Sequence, residues 1–315
     1  MKYYFHSAGV CPTMMSPDYA PNIIDRTQSM LPNSLMAIYT PVGKLTTPKT
    51  IQELFYNRAT DIIRHAGNKK IAVAWSGGID STAILVEFLK LLPNDRLIVL
   101  MNDYSIHEYP EFYARYIDGK IEQKLFDLYN DNFMDSFIDE CVIVTGALFD
   151  QTMGDSLYHA LTEDDLRTTK TEFMNSINEY SRGMYSALFN SCPRNLETLK
   201  DIYWWQCYTL NYQNEEMIWL LLSEKLKLEY NLFHFCTDSD WNDYAVSTPS
   251  EIKWPGYKQK DYKILLKNHI YEFTGDSYYL DTKQKVFSWR RYRTPSQHSK
   301  VPIYITTDWA RGYRL

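Results

Sequence analysis

Paired cysteines are missing from this chain. Its five, Cys11, Cys141, Cys192, Cys207 and Cys236, form no C-x-x-C pair and no plausible zinc set, and their number is odd. Disulfide scaffolds, zinc modules and redox dithiols are thereby disfavoured, and reduced, mostly buried thiols are expected. No apolar run reaches the roughly 18 residues that a membrane-spanning helix needs. The opening residues, Met1 to His6, lack the longer apolar stretch of a secretory signal, so a cytoplasmic location is the default expectation. Strong positive charge is absent too. The net charge is −6, which argues against broad non-specific nucleic-acid binding. There is no internal repeat and no low-complexity segment. What remains is 45% apolar and 23% charged residues over 315 positions, which suits a globular chain with a sizeable core. The 26 tyrosines and 8 tryptophans point to no function by themselves.

The most informative segment that is present runs from Ile71 to Leu89, IAVAWSGGIDSTAILVEFL. An apolar run of strand character, Ile71 to Trp75, breaks into Ser76-Gly77-Gly78-Ile79-Asp80-Ser81, and a helical pattern follows at once. Strand, Gly-rich loop and helix N-terminus together make an anion site. Glycines let the backbone approach a ligand closely, while free N–H groups and the helix dipole favour phosphate. Ser76 and Ser81 add hydroxyl donors. Asp80 suits such a site if a metal stands between it and the phosphate, because Mg2+ is normally held by one or two carboxylates plus phosphate oxygens. The Walker pattern G-x-x-x-x-G-K-[ST] is excluded, since no Lys follows the glycines.

Around this segment the pattern alternates. Thr50 and Glu53 fit a capping box opening a helix that Gly67 stops. Leu97 to Met101 reads as a second buried strand, Glu108 to Ile117 as a helix, and Cys141 to Thr145 as a further buried strand of parallel type. Strands alternating with helices predict an α/β doubly wound parallel sheet, with ligands at the carboxyl ends of its strands. The loops after Trp75, Met101 and Thr145 should then converge on one site. Residues 1–48 read as an irregular N-terminal extension with a short strand pair, such as Ser34 to Tyr39. Residues 49–156 read as the nucleotide-binding core, and residues 157–315 as a mostly helical region. In that region Trp204, Trp205, Tyr208, Tyr212, Met217, Trp219 and Leu220 are assigned to helix packing first and to a substrate wall second. A basic stretch closes the chain: Lys283, Lys285, Arg290, Arg291, Arg293, Lys300, Arg311 and Arg314 stand against Asp308 alone. It reads as a local anion contact or as a solvated strip.

A second motif follows the third strand, Thr145-Gly146-Ala147-Leu148-Phe149-Asp150-Gln151-Thr152-Met153-Gly154. Taken with Ser76 to Ser81, it resembles the PP-loop ATP pyrophosphatases, and among them the asparagine synthetase-like branch. That branch carries S-G-G-x-D-S and T-G-x-G-x-D-E-x-x-G at corresponding places. The resemblance implies ATP and Mg2+ as cofactors. It implies nucleotide contacts from Ser76, Gly77, Gly78, Asp80, Ser81, Leu100, Met101, Gly146 and Asp150, with Asp80 and Asp150 jointly holding the metal. Leu280 to Phe287 resembles the family's R-x-K stretch, which implies a charge-stabilising role for Lys285, with Lys283 in the Arg position.

Two features depart from that family. No counterpart of the N-terminal glutaminase, whose nucleophile is a Cys exposed on removal of Met1, is expected, since Lys2 follows Met1, Cys11 is internal and about 48 residues cannot hold such a domain. Ammonia or an amine, supplied freely or by a separate partner, is then expected instead of glutamine. Three residues before the metal Asp, the family's Glu or Tyr is replaced by Ala147, which cannot move a proton; Glu108, Tyr109 and Glu111 are the candidate substitutes. Three readings follow. The first is an AMP-forming amide ligase acting on a small-molecule carboxylate. The second applies the same adenylation to a nucleotide or nucleic acid, reached through the basic stretch. The third is a catalytically silent ATP-binding partner subunit.

Overall fold

The computed structural model describes residues 42–125, 140–154, 162–212, 231–256 and 261–283. Its centre is a five-stranded, all-parallel sheet built from β1 (Lys70–Ala74), β2 (Leu97–Met101), β3 (Glu122–Leu125), β4 (Cys141–Thr145) and β5 (Leu232–His234). The spatial order is β3-β2-β1-β4-β5. Every residue of β2 and β4 is buried, as is the middle of β1. Strands covered on both faces read as continuous apolar runs, which is why these three were visible in the sequence. The doubly wound α/β expectation is borne out.

Helices flank the sheet. α1 (Ile51–Ala66) opens on the Thr50–Glu53 capping box and ends at Gly67, and it buries Leu54, Phe55, Ala59 and Ile62. α2 (Ile79–Leu91) follows β1 directly. The helix expected over residues 108–117 is present from Pro110 to Ile117, first as an α turn and then as a π turn; it is preceded by a separate α3 (Asp103–Glu108), capped by the Asn102 side chain, with a break at Tyr109 between them. Pro110 accounts for the break. Its ring disfavours helical geometry in the residue before it, and Tyr109 takes φ −149° and ψ 74°.

Two strands escaped the sequence reading. β3 is the charged segment EQKL at the sheet edge, where Lys70 pairs with Glu122 at 2.6 Å. Charge on an edge strand blunts further pairing, and it also removes the apolar signal. β5 comes from beyond residue 157, so the sheet draws on both sides of that boundary. Arg58 of α1 ties β5 down by donating to the carbonyls of Phe235 at 2.9 Å and His234 at 3.1 Å.

The later part of the chain is helical where described, with α4 (Phe149–Met153) following β4. α5 (Glu179–Asn190), α6 (Leu199–Gln206), α7 (Ser239–Ser247), α8 (Ile264–Thr274) and α9 (Ser277–Thr282) come later. Trp204, Trp205, Tyr208 and Tyr212 are all buried, and Trp204 donates to the Thr152 carbonyl at 3.1 Å. Met217, Trp219 and Leu220 lie outside the described residues. So do Ser34 to Tyr39, Lys285 and the rest of the basic stretch. Residues 42–50 carry no helix or strand; they lie along α7 through bonds from Lys44 to Asp243 and from Thr46 to Ser247. Cys141, Cys207 and Cys236 are buried and Cys192 is partly buried. Burial pushes the Cys141 and Cys192 thiols up to about 11. Among the described residues, no helix is long and apolar enough to cross a membrane.

Candidate nucleotide and cation site

Strand order places the site. The chain runs from β1 outward to β2 and β3 on one side, then returns to β4 and β5 on the other. The topological switch therefore falls between β1 and β4, and the crevice outside their carboxyl ends is where such sheets take ligands. Asp80 and Asp150 occupy the helices that follow those two strands.

The loop after β1 is tightly folded. The Ser76 amide donates to Ser81 Oγ at 3.1 Å, the two serine hydroxyls lie 3.1 Å apart, and the Gly78 amide donates to Ser76 Oγ at 3.3 Å. Gly77 has φ +74°, and a Cβ there would sit 2.3 Å from the Ser105 carbonyl oxygen and 2.6 Å from Glu108 Cβ. Only glycine satisfies both the dihedral and the contact. Gly78 is the N-cap of α2 and brings no capping side chain, so the first-turn amides keep their capacity for an external acceptor.

The loop after β4 lies over that first turn. A Cβ at Gly146 would come within 3.1 Å of Asp80 Cβ and 3.2 Å of the Ser81 amide nitrogen. Leu148 then takes φ 74°, a left-handed conformation that costs a non-glycine residue about 1–2 kcal/mol. It starts α4 so that Asp150 stands in the first turn. Phe149 anchors the helix from below, packing with Phe55, Phe235 and Trp241 at centroid distances of 6.0, 6.2 and 5.0 Å.

The two aspartates meet on one cation. Lys263 Nζ lies 2.5 Å from Asp80 and 2.6 Å from Asp150, and the Tyr262 hydroxyl also donates to Asp150. Lys263 is 3% exposed, whereas Asp80 and Asp150 are 25% and 27% exposed. Burial by itself would lower the lysine pKa. The Asp150 and Asp80 carboxylates outweigh that and hold it above its usual value, so the side chain is an ammonium. The donor set of the two aspartates is compatible with Mg2+ in place of the ammonium: two hard carboxylates, with the remaining ligands left to other oxygen donors. Among the described residues no group of three or more His, Cys, Asp or Glu is placed to hold a metal alone.

The other expected residues fall nearby in different roles. Lys283 pairs with Glu108 at 2.5 Å and donates to the Glu108 carbonyl at 3.0 Å. Burial lowers the Lys283 pKa against the pull of Glu108. Since Glu108 also packs on Gly77, this ion pair buttresses the loop from one side. Leu100 and Met101 are buried at the end of β2, and the Leu100 carbonyl already accepts from the Trp75 amide at 2.9 Å. Of the substitutes for the missing proton carrier, Tyr109 donates to Asp276 at 2.9 Å and stacks on Tyr279 at 4.0 Å. Glu108, Tyr109 and Glu111 line one groove of about 390 Å³ with Asp276, Tyr279 and Lys283.

No protein-family model matches this chain, and no curated protein matches it. Lys263 and Tyr262 were missed because the surrounding KQKDYK has no periodicity or motif that separates one lysine from the next. His234 was missed as well. Its Nδ1 lies 2.7 Å from Thr145 Oγ1 at the base of the second loop, and burial beside Arg58 lowers its pKa to about 4.

Proposed function

We propose that this chain is an ATP-dependent ligase of the PP-loop type that forms AMP and pyrophosphate, similar to the synthetase part of an asparagine synthetase. The observation that carries the reading is the convergence of Asp80 and Asp150 on one cationic point, at the sheet's switch point and beside the α2 N-terminus. On this reading the triphosphate lies over Ser76, Gly77, Gly78 and Ser81, with the α2 amides and both hydroxyls donating to its oxygens. Asp80 and Asp150 hold Mg2+, which supplies charge neutralisation on the departing pyrophosphate. Lys263 takes the charge-stabilising role that the family resemblance implied for Lys285 or Lys283, because its ammonium already stands at the two carboxylates. The adenine lies toward Leu100 and Met101. A substrate carboxylate attacks the α-phosphate and pyrophosphate leaves; ammonia or an amine then attacks the acyl-adenylate and AMP leaves.

The test is pyrophosphate release from ATP and Mg2+, with pooled carboxylates and nucleotides plus ammonia or amines. Release that disappears in both Asp80→Ala and Asp150→Ala supports the reading. ATP binding without release from any pool refutes turnover. That outcome would favour the second reading, a catalytically silent ATP-binding partner. Two observations motivate it: Ala147 cannot move a proton, and Lys263 already neutralises the aspartates. A response confined to nucleotide pools would point to adenylation of a nucleotide or nucleic acid, for which the support is the basic stretch after Lys283.

A further inference from the structure

We propose that Lys263 is a built-in counter-cation that holds Asp80 and Asp150 in register and is displaced when a divalent metal arrives with the nucleotide. The bare protein then takes up metal poorly, and metal and nucleotide load together. This deepens the functional reading above and rests on it for the identity of the nucleotide.

Three features of the geometry support the exchange. First, both carboxylates lie within 2.6 Å of the same nitrogen, so a metal cannot bridge them while the ammonium stays. Like charges brought this close repel unless a cation lies between them, which gives Lys263 a structural task in the empty site. Second, the exposures differ in the direction an exchange requires. The lysine is 3% exposed and the carboxylates 25% and 27%, so the ammonium reaches them from the buried side while they remain open to solvent. Third, the backbone around Lys263 is anchored, so an exchange needs only its side chain to move. The Lys263 carbonyl accepts from the Leu266 and Lys267 amides at 3.0 Å each. The Tyr262 hydroxyl remains on Asp150 to steady that carboxylate once the ammonium leaves.

Charge explains why the nucleotide is required. The ammonium offsets part of the negative charge of the two carboxylates and so weakens their attraction for a strongly hydrated divalent ion. Phosphate oxygens change this by completing the metal's ligands and by offering the released ammonium a new anionic partner.

The test uses Mn2+ alone as the probe, with free Mn2+ followed by electron paramagnetic resonance in the absence of any nucleotide. The wild-type chain should bind it weakly. Lys263→Met should bind at least about tenfold more tightly, Lys263→Arg should behave like wild type, and Lys263→Met combined with Asp80→Asn should lose the gain. Adding an ATP analogue that cannot be cleaved between its α- and β-phosphates should tighten Mn2+ binding in wild type, and by a smaller factor in Lys263→Met. Tight binding of Mn2+ by wild type alone would overturn the proposal, as would an unchanged affinity in Lys263→Met. Lys263→Gln serves if the Met variant does not fold, and the wild-type arm is informative in either case. Because the first arms need neither ATP nor turnover, failure of the ligase reading leaves their outcome legible.

Discussion

Gly77→Ala should be far more costly than its chemistry suggests, and the structure separates the reasons. Two terms add. The residue has φ +74°, and holding an L-residue in the left-handed region costs about 1–2 kcal/mol. The new methyl would also lie 2.3 Å from the Ser105 carbonyl oxygen and 2.6 Å from Glu108 Cβ. Neither neighbour can swing aside: the first is backbone, and Glu108 is held by its pair with Lys283. Overpacking of that kind adds about 1–3 kcal/mol, for a total of roughly 2–5 kcal/mol. Gly275 supplies the control. It has φ +67°, but nothing lies within 4 Å of its missing Cβ, so Gly275→Ala should show the dihedral term alone. Urea unfolding of both variants, followed by circular dichroism with a common slope, gives the difference directly. Equal losses in the two would refute the claim that the loop is packed against α3.

Phe149→Ala, in the aromatic cluster beneath Asp150, should cost about 3–5 kcal/mol in the same assay; a loss under 1 kcal/mol would contradict the packing. Lys283→Met should cost about 3 kcal/mol by stranding the partly buried Glu108 carboxylate, and Glu108→Gln in the same chain should recover part of that loss. His234 should make stability fall with acid. Its folded pKa of about 4 lies below the ordinary imidazole value of 6.5, so the unfolded chain binds the extra proton between those limits. The loss should begin as pH drops below 6.5, reach at most ~3 kcal/mol, and level off below about 4. Unfolding free energies of His234→Asn across that window should show a flatter slope than wild type, and identical slopes would remove His234 as the cause.

Local chemistry carried a large part of the structure into the sequence. Thr50 and Glu53 announced the start of α1 because a capping box is made within four residues. β2 and β4 announced themselves because strands buried on both faces must be apolar throughout. The loop from Ser76 to Ser81 was legible because Gly77 answers a backbone requirement that few other residues can meet. Other features depended on distance along the chain. β3 and β5 have no apolar run of their own and become strands only by pairing with neighbours already in place. The break at Tyr109 came from Pro110 overriding a helical pattern. Lys263 is the plainest case. The start of α8 brings it to the carbonyl end of the sheet, 183 residues from Asp80. Residue types and spacing thus determined β1, β2 and β4 and the position of the loop from Ser76 to Ser81, while the pairing of Asp80 with Asp150 was implied by the resemblance of the two motifs. Tertiary structure decided which cation those aspartates hold, because electrostatic partners are chosen by proximity in space, and no periodicity along the chain records it.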